Sequence, residues 1–151
     1  MIHIGTADAT FLDPVMRIMQ AAFAPRYGEA WSSGQVAAML ANPLAWLLFA
    51  DLNGRHAGFA LSRAAAGEAE LLLIAVHPEA RGQGVGKRLL EETVKLARKK
   101  KNEKLLLEVR ACNPAIALYR SHGFSKVGER RQYYRGGEGQ LFDAETYRLM
   151  L

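Results

Sequence analysis

The chain has 151 residues and a mass of 16.7 kDa, 50% of them hydrophobic and 23% charged: one domain's length, with ample core-forming residues and too apolar for disorder. Its one cysteine, Cys112, excludes an internal disulfide framework and a multi-cysteine zinc site, and the apolar run Leu44 to Ala50 is far short of the ~20 residues that span a bilayer. The formal charge of +5 is uneven: residues 1–79 hold four Lys/Arg against seven Asp/Glu, and residues 80–151 hold sixteen against eight.

No repeat, linker or low-complexity tract interrupts the chain, so residues 1–151 are expected to form a single domain. Ile2 to Ile4 reads as a short opening strand. Asp8 or Thr10 is placed to cap a helix reaching Phe23, with Leu12, Val15, Met16 and Met19 at helical spacing. After the loop Ala24 to Gly28, Ser32 and Ser33 introduce a second short helix carrying Val36, Met39 and Leu40, which Asn42-Pro43 ends. Ala45–Asp51 and His56–Arg63 read as a hairpin, because Asn53-Gly54 supplies the positive φ angles of a tight turn. Glu70–Val76, almost wholly apolar, is expected to be a central strand. A glycine-rich loop then leads into a helix from about Gly84 to Lys100, with Val85, Leu89, Leu90, Val94 and Ala97 on one stripe. Lys104–Arg110 is the next strand, Pro114 opens a short helix closed by His122-Gly123, and strands near Ser125–Tyr134 and Phe142–Leu149 end the chain. The predicted order is β-α-α-β-β-β-α-β-α-β-β. A strand, long helix and strand in succession imply a parallel pair within a mixed α/β domain.

The most specific chemical signal is the stretch from Val76 to Lys87. A strand feeds a helix N-terminus through three spaced glycines, where free amides and the helix dipole favour an anion. A P-loop would need glycine at Arg81 and Ser or Thr at Arg88. A dinucleotide fingerprint would need glycine at Lys87. Nucleotide hydrolysis and NAD binding are therefore not expected.

The pattern Arg/Gln-x-x-Gly-x-Gly/Ala, met by Arg81, Gly84 and Gly86, resembles the pyrophosphate-binding loop of the GNAT (Gcn5-related N-acetyltransferase) superfamily. Ala115-Ile116-Ala117-Leu118-Tyr119, followed after three residues by Gly123-Phe124, resembles that superfamily's second motif. The resemblance implies the GNAT fold, with a splayed central parallel strand pair, and acetyl-CoA as cosubstrate. It implies that Arg81, Gly82, Gln83, Gly84, Val85, Gly86 and Lys87 hold the pyrophosphate, chiefly by backbone amides. It further implies that Ile74, Ala75 and Val76 pair with pantetheine and aim an amide at the thioester carbonyl. An amide fixed there would favour the developing oxyanion over the ground state.

Shorter strings resemble the RimI-type subgroup, which acetylates the N-terminal alanine of a small-subunit ribosomal protein. They are Ala30-Trp31-Ser32, Glu70 to Val76, Leu107 to Arg110, Arg130 to Tyr134, and Asp143-Ala144. By that resemblance Glu108 is a general base and Tyr119 a general acid that also meets the cofactor. Asn113 is a cofactor contact, and Trp31, Tyr133 and Tyr134 border the groove for a protein or peptide N-terminus. Asn113 and Tyr119 are six positions apart where the subgroup usually has seven, so Asn113's contact is the one this shorter loop bears on.

Read from the residues alone, Glu108 is a charge inside an apolar strand, either used in chemistry or paired with Arg110, Arg130 or Arg131. Tyr119 alone would read as core packing. No metal is expected, since His56, His77 and His122 lack ligand spacing and His3 is near the terminus; an acetyl-relay role for Cys112 is not expected either, with no His–Asx arrangement beside it. The basic run Lys95 to Lys101 lacks interleaved aromatics, so the anionic partner of the basic half is expected to be a phosphorylated cofactor rather than nucleic acid. The start of the chain lacks an export pattern, making a reducing cytoplasm and no membrane the expectation. Other acceptors consistent with the sequence are a small amine, a lysine side chain or aminoacyl-tRNA, and a non-catalytic acetyl-CoA sensor is a further alternative.

Overall fold

The computed structural model describes all 151 residues. The strands are β1 (Ile2–Ala7), β2 (Ala45–Leu52), β3 (Arg55–Ala65), β4 (Glu68–Val76), β5 (Lys104–Arg110), β6 (Ser125–Arg135) and β7 (Leu141–Met150). The helices are α1 (Leu12–Ala22), α2 (Ser33–Leu40), α3 (Val85–Lys99) and α4 (Ala115–Ser121). Their order is the predicted one. Asp8 caps a single 3-10 turn, Ala9–Phe11, by accepting the Thr10 amide at 2.9 Å, so α1 begins later than the sequence suggests. Ser32 caps α2, and Gln35 returns the bond to the Ser32 amide at 2.8 Å, a complete capping box. No helix is long and apolar enough to cross a membrane.

One sheet of seven strands runs β1-β2-β3-β4-β5-β7-β6, antiparallel except for the β4–β5 pair. On one face α1 and α2 bury Val15, Ile18, Met19 and Val36 against Leu47, Phe49, Phe59 and Leu61. On the other, the α3 stripe Val85, Leu89, Leu90, Val94 and Ala97 packs with Leu105, Leu107, Val109 and Tyr119. The α1/α2 layer reaches only β2–β4, so the face of β5 that carries Leu106, Glu108 and Arg110 has no helix over it.

The predicted central strand holds a feature its apolar sequence hides. Leu73 pairs with Leu61 but Leu71 pairs with Ser62, which leaves Leu72 as an extra residue in β4. A one-residue slip moves every later side chain to the other face. Accordingly Ala69 and Leu71 pack on the α3 side, whereas Leu73 and Ala75 pack on the α1 side. Pairing with β5 stops at the same place, with Glu68–Leu71 matched to Lys104–Leu107 and nothing beyond. The sheet therefore splits into a wedge between the C-terminal halves of its two central strands.

Candidate active site

A cavity of about 750 Å³ fills the wedge. The β4 edge from Leu72 to Val76 has no strand partner on this side, so backbone donors and acceptors line one wall. At the end of that wall the chain turns through Gly82 (φ 75°) and Gly84 (φ 86°) into α3. Both need left-handed backbone, and a Cβ on Gly82 would meet nothing within 4 Å, so conformation rather than crowding selects glycine there. The first residues of α3, whose amides have no acceptor within the helix, line this end of the cavity together with Arg81 and Lys87. Strand-edge amides leading to a cationic helix N-terminus suit an extended amide-containing chain that ends in a pyrophosphate.

All the predicted site residues line this cavity except Gln83, which is exposed. Val85 buries its side chain in the core, at 1% exposure, and so offers the cavity only its backbone. The Arg81 guanidinium donates to the Ala22 carbonyl at 3.0 Å, tying the glycine-rich loop to the end of α1.

Glu108 projects from β5 where the wedge opens, and its side chain is 16% exposed. Oε1 stands 2.8 Å from Arg130 Nε and the Tyr133 hydroxyl also acts on the carboxylate, whereas Oε2 is buried and makes no hydrogen bond within 3.5 Å. Pairing with Arg130, one of the sequence alternatives, is therefore real but covers only one oxygen. Burial pushes the Glu108 carboxyl above the usual range against the pull of Arg130, and the charge of Glu70 adds to the rise. Glu70 lies on the same sheet face and is itself paired with Arg63 at 3.3 Å.

Tyr119 is 5% exposed and packs edge-on to Phe124, with ring centroids 5.9 Å apart. Burial, and then the Glu29 carboxylate, raise its hydroxyl well above the ordinary phenol value. The Tyr134 hydroxyl is raised by the same two causes in the same order. Tyr133 and Tyr134 reach the wedge because β6 bulges between Arg130 and Tyr134. Asp143 holds that bulge by accepting the amide of Gln132, a residue at φ 54°, at 2.9 Å.

Two contacts here are not legible in the sequence. Asn113 accepts the Ala115 amide at 2.9 Å and donates to Glu29 Oε2 at 3.1 Å, so it caps α4 and reaches the loop between α1 and α2. That loop is also joined to the β6–β7 turn backbone to backbone. Gly137 donates to the Pro25 carbonyl at 2.9 Å, and a Cβ on Gly28 or Gly136 would fall within 2 Å of a carbonyl oxygen across the joint. Segments carrying Trp31 on one side and Tyr133–Tyr134 on the other thus form one continuous wall. No group of three or more His, Cys, Asp or Glu stands where it could hold a metal ion.

Comparison with known proteins agrees with this geometry. The profile of the acetyltransferase (GNAT) family matches residues 12–124. The [ribosomal protein bS18]-alanine N-acetyltransferase of Escherichia coli K12 is 44% identical over 89 residues, 58% of this chain and 60% of that protein's length. The N-alpha-acetyltransferase RimI of Mycobacterium tuberculosis is 39% identical over 112 residues, 71% of this chain and 69% of that one. The crystal structure of the ribosomal-protein-S18-alanine N-acetyltransferase from Escherichia coli superposes with a TM-score of 0.89 at 35% identity, covering 99% of this chain and 94% of that one. With its split parallel pair, glycine-rich turn and matching sequence, this chain belongs to the GNAT acetyltransferase family.

Proposed function

We propose that this protein transfers the acetyl group of acetyl-CoA to the α-amino group of a protein N-terminus, RimI-type, with the N-terminal alanine of a small-subunit ribosomal protein as the leading acceptor. The observation that carries the reading is Glu108, a carboxylate with one oxygen bare, set opposite an unpaired strand edge.

An α-amino group titrates near 7.7–8.0, so about half or more of it is an unreactive ammonium at neutral pH. Glu108 Oε2 accepts the proton, directly or through one water, and its raised pKa brings it closer to the amine it must deprotonate. The free amine then adds to the thioester carbonyl. A backbone amide of Ile74–Val76 meets the developing oxyanion, and the amides of Gly82–Lys87 hold the pyrophosphate. Collapse re-forms the carbonyl and breaks the C–S bond, and the second proton that the nitrogen sheds passes, directly or through water, to the departing sulfur, so that CoA leaves as the thiol. Tyr119, neutral throughout the working range, donates its hydroxyl to the departing sulfur. A thiolate (about 8.5) is a weaker base than this phenolate, so Tyr119 acts chiefly by hydrogen-bonding the developing charge. The closed wall joining Trp31 to Tyr133 and Tyr134 supports an acceptor that enters by its end.

Replacing Glu108 by Gln is expected to lower turnover roughly 10²–10⁴-fold, while acetyl-CoA still binds. CoA release measured against N-terminal peptides, lysine peptides and polyamines identifies the acceptor. Full activity of the Gln variant would overturn the role of Glu108, and turnover confined to lysine peptides or polyamines would overturn the acceptor.

A further inference from the structure

We infer that Glu29 is a positioning residue: its carboxylate locks the acceptor-side loop onto the strand and helix that carry Glu108 and Tyr119. The inference rests on the reaction proposed above. Two contacts converge on this side chain, itself only 12% exposed. Glu29 Oε1 faces Arg110 Nε at 3.5 Å, and Oε2 accepts from Asn113 at 3.1 Å. The Arg110 guanidinium carbon in turn lies over the Tyr27 ring, 3.6 Å from its centroid. Arg110 is two residues beyond Glu108 on β5, and Asn113 caps the helix whose fifth residue is Tyr119. One carboxylate from the α1–α2 loop therefore touches the supports of both the base and the acid.

Asn113 is engaged on both sides. With Pro114 at the turn, the Asn113 amide group is spent on Glu29 and on the first turn of α4. Arg110 Nε, buried and without a hydrogen-bond partner, has the Glu29 carboxylate as its counter-charge. Removing that carboxylate leaves a buried guanidinium unbalanced and breaks the loop's hydrogen bond to Asn113, leaving the backbone joint and the Arg110–Tyr27 contact to hold it. Displacements of about 1 Å at reacting groups cost on the order of 10² in rate.

The test compares wild type with Glu29→Ala and Glu29→Gln. For Glu29→Ala the expected result is a roughly 10²-fold fall in kcat/KM for the acceptor, with acetyl-CoA Kd held within about twofold. Amide hydrogen exchange should rise at residues 27–31 and in the first turn of α4. Gln can still accept from Asn113 but carries no charge for Arg110, so it should fall between the two. A cycle with Asn113→Ala should be non-additive, because the two side chains share one bond. Wild-type kinetics and exchange in Glu29→Ala would overturn the inference. So would a fall in kcat that only tracks the active fraction while KM is unchanged. If the Ala variant does not fold, the Gln variant is judged by the same criteria. If wild type acetylates no N-terminal peptide, the reaction proposed above fails on that result alone. Hydrogen exchange then still decides whether Glu29 ties the loop to α4.

Discussion

The two oxygens of Glu108 occupy different surroundings, and that difference governs both reactivity and stability. Oε1 is matched by a guanidinium that is itself 60% exposed, a partner worth little in water. Oε2 is desolvated and makes no hydrogen bond within 3.5 Å. A carboxyl raised on folding binds its proton more tightly in the native than in the unfolded state. Stability is therefore lost as pH rises from the ordinary glutamate range through the raised value. At neutral pH the ionised Glu108 opposes folding, so Glu108→Gln should melt at a temperature equal to or above wild type. That difference should shrink as pH falls into the ordinary glutamate range, where the wild-type carboxyl takes up its proton. A variant that loses activity while keeping or gaining Tm identifies a functional charge, whereas a large drop in Tm would show Glu108 to be structural.

At the scale of elements, the acceptor wall depends on a joint with no side chains to yield. A Cβ at position 136 would sit 1.8 Å from the Arg26 carbonyl oxygen, so Gly136→Ala must push the α1–α2 loop and the β6–β7 turn apart. Acceptor kcat/KM should fall on the order of 10² while acetyl-CoA affinity is kept, since the pyrophosphate loop lies elsewhere. Equal losses in both would show that the joint supports the whole fold. This joint, unlike the elements it connects, leaves no trace in local sequence. Period and capping make the elements legible: the α3 stripe, Ser32 with Gln35, and Asn53-Gly54 at φ 51° and 82° are all local. The Leu72 bulge is silent because Leu71, Leu72 and Leu73 are alike, and either register buries leucine. Glu108, Tyr119 and the glycine-rich loop are marked by motifs. Glu29 is not, because its partners Arg110 and Asn113 come from the far end of the chain, Asn113 84 residues away. Asp143 is visible as part of a resembling string, but its hold on the Gln132 amide depends on a bulge that only the sheet register reveals.

For the whole molecule, the charge imbalance acquires a place. Strands β1–β4 come from the acidic half of the sequence and β5–β7 from the basic half, so the wedge lies along the seam between them. The cationic loop and the start of α3 line one end of the cavity and the α1–α2 segment, with Glu29, another; in the proposed reaction the first would meet the phosphorylated cosubstrate and the second the acceptor. A basic peptide should then be drawn in partly by long-range attraction. Its KM should rise several-fold as salt goes from about 0.01 to 0.5 M, over which the screening length falls from ~30 Å to a few Å, with kcat unchanged. A KM indifferent to salt would leave contacts inside the cavity as the sole source of acceptor affinity.

The two half-sheets share only four residue pairs, Glu68–Leu71 with Lys104–Leu107. A cosubstrate lying along the free β4 edge would act as the missing strand, mending the sheet as it is bound. Saturation at 100 times Kd would add about 2.7 kcal/mol, a Tm rise on the order of 5–10 °C for a chain of this size. Limited proteolysis with and without acetyl-CoA would read this as slower cutting when the cosubstrate is present, and equal rates would show the seam to be self-sufficient. Bound cosubstrate would then serve the fold as its eighth strand as well as supplying the acetyl group.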